Sequence, residues 1–130
     1  MTRGVTIGIL PGYDFTSANP FIDVIIPTGL DVGRNQLVIA SGQAVIAVGG
    51  GAGTLSEIAL ASQLNKPIIL LRGSGGWADR LDGDYLDERC NTRLHRCEEN
   101  DDVARLLKDL LEAAPLSGPI NSGHQQRSQR

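Results

Sequence analysis

Val48-Gly49-Gly50-Gly51-Ala52-Gly53-Thr54-Leu55-Ser56-Glu57 is the stretch of this 130-residue chain whose residue types and spacing could do chemistry. An apolar run ends, four glycines fall within five residues, and a helix-forming segment begins. Glycine lets the backbone take positive φ and lets a ligand come close with no Cβ in the way. The free N–H groups of a helix's first turn carry partial positive charge from the helix dipole, so phosphate is their natural occupant. Gly50, Gly51 and Gly53 would form the cradle, and the Thr54 hydroxyl would add a hydrogen bond. The loop is not the mononucleotide P-loop, because no Lys-Ser/Thr pair follows the glycines. It is not a dinucleotide fingerprint either, since Gly-x-Gly-x-x-Gly is not met from Gly49 or Gly51. A tight strand-to-helix turn that holds nothing is the plainer alternative, but a plain turn rarely requires so many glycines.

Three further side chains could serve such a site. Thr54-x-x-Glu57 fits a capping box, in which Glu57 bonds back to the Thr54 N–H. Equally, Glu57 could be a carboxylate beside the ligand, bonding a sugar hydroxyl or moving a proton. Arg34 falls in the first turn of a helix expected after Asp31, where the dipole disfavours a cation. That placement points to phosphate binding. The alternative is a solvated Arg34 paired with Asp31. Asn35 beside it could read a polar edge of the ligand.

The surrounding pattern must hold these residues in place. Residues 4–10 and 23–26 predict two strands, ended by Pro11-Gly12 and Pro27-Thr28-Gly29. Asp31 is expected to cap a helix over 33–41, with Leu37, Val38 and the Ala40 side apolar. Residues 44–48 and 68–71 are continuously apolar, as in strands of a parallel sheet buried on both faces. Residues 54–64 predict a helix with Leu55, Ile58, Ala59 and Leu64 inward. Residues 73–77 read as a flexible turn, followed by a solvated acidic loop over 79–88, and residues 93–97 as an edge strand. Asn100 is expected to cap an amphipathic helix over 101–113. Strands alternating with helices predict an α/β domain over 1–116 with a Rossmann-like parallel sheet flanked by helices. Residues 117–130 are polar and predict a disordered tail. The first strand has no helix before it, so the domain is expected to lack an N-terminal portion.

Composition narrows the partners. The net charge of −3 gives no broad basic footprint for nucleic acid. No run approaches the ~20 apolar residues of a membrane span, and the start shows no signal peptide. Cys90 and Cys97 read as reduced cytoplasmic thiols, one buried and one partly exposed. His95 lies between them without the further ligands that a metal site needs.

Residues 28–35, Thr-Gly-Leu-Asp-Val-Gly-Arg-Asn, and residues 44–61, from Ala44 through the glycine loop to Ala61, resemble the molybdenum cofactor carrier protein family. That family belongs to the superfamily described as "possible lysine decarboxylase", together with the Lonely guy cytokinin-activating phosphoribohydrolases. The similarity covers residues 4–72 well and the remainder in outline. It implies a Rossmann-like fold, a homo-oligomer (dimer or tetramer) and a small phosphorylated ligand over the glycine loop. In the carriers that ligand is the molybdenum cofactor, a phosphorylated pterin; in the hydrolases it is a nucleoside 5′-monophosphate. No cofactor is required for either role. The hydrolases' catalytic Arg and Glu would correspond to Arg34 and Glu57. The hydrolases usually show Arg-Lys where this chain has Arg34-Asn35, and Pro where it has Gly49. Both differences favour the carrier branch. The family's N-terminal glycine-containing loop is expected to have no counterpart among these 130 residues.

Three functions follow from these readings. One is a carrier for a phosphorylated pterin or nucleotide. The second is a phosphoribohydrolase releasing a base from a nucleoside 5′-monophosphate. The third is a non-catalytic fragment that docks on a partner. Lysine decarboxylation is set aside: that chemistry generally calls for a pyridoxal phosphate Schiff-base lysine, and of the only lysines Lys66 sits before a strand with Pro67 next to it and Lys108 is expected on the C-terminal helix, away from the loop.

Overall fold

A computed structural model of the chain describes residues 3–98 and 100–113. The described residues form, in chain order, β1 (Ile7–Leu10), β2 (Val24–Pro27), α1 (Arg34–Ser41), β3 (Val45–Val48), α2 (Ala52–Gln63), β4 (Ile68–Leu71), α3 (Gly76–Arg80), β5 (Leu94–Cys97) and α4 (Asn100–Ala113), with the strands where the apolar runs predict them and only a 3-10 turn (Phe15–Ser17) between β1 and β2. Every strand pairing is parallel. The fold is α/β, parallel strands flanked by helices.

The strands form two sheets rather than the single one expected: a pair β1-β2 and a triplet β3-β4-β5. Alternation sets strand direction but not which edges meet, so this division was not readable from the pattern. In the triplet, Ile68, Ile69 and Leu70 of central β4 are fully buried, as an apolar run between two helical layers should be. One face packs Ile68, Leu70, Ala47 and Leu94 against Ile39 of α1 and Ile58 and Ala61 of α2. The other packs Ile69 and Cys97 against Val103 of α4.

Strand β3 departs from expectation. Its unbroken apolar run predicts burial on both faces, yet Ile46 and Val48 are 42% and 59% exposed. The reason is its place at the edge of the triplet, while α4 covers only β4 and β5. Helix faces shift similarly. In α1 the inward residues are Asn35, Val38 and Ile39, with Leu37 and Ala40 exposed. In α2, which starts two residues earlier than expected, Leu64 lies just past the helix and is exposed.

The glycines of residues 73–77 predict only a flexible turn. Instead Gly75, at φ 82°, turns the chain into the short helix α3. The acidic loop after it carries no regular element but is tied to the sheet. Arg72 and Arg96 both donate to the Leu81 carbonyl, Arg72 pairs with Asp82 at 2.8 Å, and Arg96 bonds the Gly83 carbonyl. Cys90 and Cys97 are free, Cys97 buried and Cys90 partly so. The expected tail over 117–130, and with it the domain end at 116, lies outside the described residues.

Candidate functional site

Two glycines at the end of β3 adopt conformations that L side chains rarely take, φ 58° at Gly49 and φ 95° at Gly50. Their positive φ reverses the chain and delivers it into α2 with Gly51 as the residue before the helix. A Cβ on Gly50 would collide with the Thr54 side chain, which folds back over the loop. Gly51 and Gly53 are exposed, and a Cβ on Gly51 would meet nothing within 4 Å.

The donors of this turn are unevenly used. The Gly49 N–H donates to Ser74 Oγ at 2.8 Å, and the Leu55 N–H to the Gly51 carbonyl at 3.1 Å. Among the described residues the amides of Gly50, Gly51, Ala52, Gly53 and Thr54 have no acceptor, and no side chain caps α2. A helix whose first-turn amides are free and exposed presents positive partial charge to solvent.

The capping box expected of Thr54 and Glu57 is not formed. The helix begins at Ala52, so Thr54 lies inside the first turn and the residue in the cap position is Gly51. Glu57 is thereby released from that structural duty. Burial pushes its carboxyl above the usual range, and the nearby Arg34 charge partly offsets the effect.

Arg34 opens α1, as expected, but not behind an Asp31 cap. Asp31 sits at φ 51° in a short 3-10 turn (Asp31–Gly33), and no side chain caps α1. Backbone bonds from Thr28 to Leu10, Gly29 to Gly12 and Asp31 to Pro11 tie this turn to the loop after β1, which leaves Asp31 no freedom to cap. The Arg34–Asp31 pair is likewise absent; Arg34 donates instead to the Ile9 carbonyl at 2.9 Å. That bond anchors one guanidinium nitrogen on β1 while its charge reaches Glu57 of α2.

Asn35 is buried, and its Nδ2 donates to Ser56 Oγ at 3.1 Å, joining α1 to α2. Its amide nitrogen is thus engaged within the protein rather than aimed at a ligand edge. Sequence reasoning missed Ser56, which also donates to the Gly53 carbonyl at 2.6 Å. It missed Ser74 and the start of α3 as well, where Trp77 and Ala78 donate to the Gly50 and Gly49 carbonyls at 3.0 and 3.1 Å. The only local signal for these was the second glycine cluster at Gly73, Gly75 and Gly76.

The arrangement therefore gathers Gly50, Gly51, Gly53 and Thr54 at the carboxyl end of β3, with Arg34 and Glu57 where α1 meets α2. It offers free amides and a guanidinium to an anion, and a carboxyl that holds its proton more tightly than usual. Among the described residues no group of three or more His, Cys, Asp and Glu is placed to hold a metal, and no helix is long and apolar enough to cross a membrane.

Comparison with known proteins agrees with this fold. Residues 1–104 match the SLOG cluster4 family. An uncharacterized protein of Archaeoglobus fulgidus is 39% identical over 69 residues, 53% of this chain and 45% of its own length. The X-ray structure of TM1055, a structural genomics target, superposes with a TM-score of 0.74 at 37% identity, over 82% of this chain and 65% of that one. The molybdenum cofactor binding protein of the phototrophic bacterium Rippkaea orientalis gives a TM-score of 0.69 at 33% identity, over 84% of this chain and 64% of that one. The chain thus spans about half the length of the curated relative and about two thirds of the two solved structures.

Proposed function

This chain belongs to the SLOG cluster4 family, and we propose that it binds and carries a small phosphorylated ligand, a phosphorylated pterin of the molybdenum cofactor type or a nucleotide. The observation that carries the reading is the row of unpartnered amides from Gly50 to Thr54 at the start of α2. Free helix-start amides stabilise a dianion without any net basic charge. Arg34 adds a full positive charge, and its bond to Ile9 fixes where that charge stands. The similarity to a molybdenum cofactor binding protein supports the pterin as the first ligand class to try. Thermal melts of the purified chain against inorganic phosphate, nucleoside monophosphates and a phosphorylated pterin test the proposal. Mass-action stabilisation predicts a rise of a few degrees with a true ligand; no rise with any of them contradicts it.

One observation favours a catalytic reading as second choice. Glu57, half-buried and with its proton held tightly, stands near Arg34, which is a pairing suited to acid–base work at a ribose. Incubation with adenosine-type monophosphates would then release free base and ribose 5-phosphate above a Glu57→Ala control. The exposed apolar side chains Ile7, Val24, Ile26, Ile46 and Val48 on the two sheets support a homo-oligomer in solution, which sedimentation tests.

A further inference from the structure

The glycine loop is held from behind by a second loop, and one carboxylate organises that loop. Asp79 accepts from the Gly73 N–H through Oδ1 at 2.8 Å and from the Gly75 N–H through Oδ2 at 2.7 Å. Those two bonds define the turn from β4 into α3. The first amides of α3 then reach across to β3's end, Trp77 N–H to the Gly50 carbonyl and Ala78 N–H to the Gly49 carbonyl. Ser74 completes the contact by accepting from the Gly49 N–H and donating to the Leu71 carbonyl. The fit is backbone against backbone: a Cβ on Gly76 would stand 2.6 Å from Gly49 C and Gly50 N.

This contact decides what the glycine loop presents. A turn of consecutive peptides has carbonyls as well as amides, and a carbonyl facing a phosphate repels it. With the Gly49 and Gly50 oxygens bonded to α3, the loop's negative dipole ends are occupied and its free donors remain. Asp79 carries a negative charge, but both carboxylate oxygens are engaged by Gly73 and Gly75.

We propose that Asp79 is a positioning residue for the anion site. By fixing the start of α3 it holds the Gly49 and Gly50 carbonyls and keeps the amides from Gly50 to Thr54 available. The proposal rests on the phosphate-binding reading above and deepens it. Asp79→Asn keeps the shape but leaves one acceptor for two amides, and Ser74→Ala removes the acceptor of the Gly49 N–H. Val103→Ala, in the core under α4, serves as a variant destabilised elsewhere.

Two measurements on the full chain test it. In hydrogen exchange without ligand, Asp79→Asn should speed exchange of the bonded amides that tie the two loops together, Gly49, Trp77 and Ala78, and Ser74→Ala that of Gly49, while Val103→Ala should leave all three as in wild type. In calorimetry with inorganic phosphate, Asp79→Asn should weaken binding about tenfold, the scale of one lost charge-assisted hydrogen bond; Val103→Ala should bind as wild type. Exchange of Gly49, Trp77 and Ala78 unchanged in Asp79→Asn, or changed equally in Val103→Ala, overturns the proposal whether or not phosphate binds. Unaltered phosphate affinity in Asp79→Asn overturns it as well. If the wild type binds no phosphate, the phosphate-binding reading itself fails, and the exchange result alone decides whether Asp79 holds the loop.

Discussion

Asn35 Nδ2 lies 3.1 Å from Ser56 Oγ, and this bond sets the spacing of α1 and α2 one residue away from both Arg34 and Glu57. Asn35 is buried while Ser56 is exposed, so the bond is shielded from water on the α1 side and ties the two helix starts together. Asn35→Leu fills the volume but leaves Ser56 with no donor from α1. The expected outcome is a loss of about 0.5–1.5 kcal/mol in denaturant unfolding, with weaker phosphate binding as Arg34 and Glu57 drift. Unchanged stability and affinity would show that the helix contact holds without it.

The glycines of the loop should separate by position. Gly50→Ala places a Cβ against Thr54 at φ 95°, a strain of about 1–3 kcal/mol, visible as a lower melting temperature. Gly51 has open space and ordinary φ, so Gly51→Asp should melt close to wild type. Its carboxylate nevertheless stands at the free amides, and like charge there should weaken phosphate about a hundredfold or more. Binding retained by Gly51→Asp would move the site elsewhere.

Arg34 has two jobs, holding Ile9 and presenting charge. Arg34→Ala should weaken phosphate by about ten- to a hundredfold, the value of a hydrogen bond to a charged group. Arg34→Lys can reach one partner but lacks the planar fork, so titration should place it between the two. Equal binding by all three proteins would exclude Arg34 from the site.

Glu57 gives a pH dependence of definite sign. Its carboxyl is held above the ordinary 4.5 by burial, with Arg34 pulling it part of the way back. The folded chain therefore binds this proton more tightly than the unfolded chain does. Ionising Glu57 costs stability: the cost is absent below 4.5, sets in as pH rises through the folded-state pKa, and is constant above it. Glu57→Gln removes the cost, so unfolding at a series of pH values should show the variant gaining on wild type across that window. Arg34→Ala removes the offsetting charge and should carry the window to higher pH. Parallel pH profiles for wild type and Glu57→Gln would contradict the raised carboxyl.

Much of this arrangement was legible in the sequence because it is local. Residues 68–71 have nothing polar to expose, and Ile68, Ile69 and Leu70 are fully buried. Glycines between an apolar run and a helix former predict the turn from β3 into α2, and positive φ at Gly49 and Gly50 is its direct expression. What was not legible depends on contacts distant in sequence. Arg34 pairs with a β1 carbonyl 25 residues away rather than with Asp31. The capping box at Thr54 lost to a helix starting at Ala52. Ile46 and Val48 have the residue types of a buried strand, and only the order of strands leaves them on an edge. Helix α3 is too short for a periodic signal, and its start is set by Asp79 reaching back to Gly73 and Gly75. Lys66, whose place before Pro67 gives no sign of this role, donates to the Ile39, Ala40 and Gly42 carbonyls and closes the end of α1.

The proposed site is the row of amides from Gly50 to Thr54, with Arg34, around a phosphate. Calorimetric titration with a nucleoside 5′-monophosphate and with the same nucleoside lacking phosphate, on wild type and Gly51→Asp, tests it most directly. Wild type should prefer the monophosphate by about tenfold or more, the scale of a charge-assisted hydrogen bond, and Gly51→Asp should lose this preference while melting as wild type does. Equal affinity for the two ligands in wild type, or a preference that survives Gly51→Asp, would contradict it.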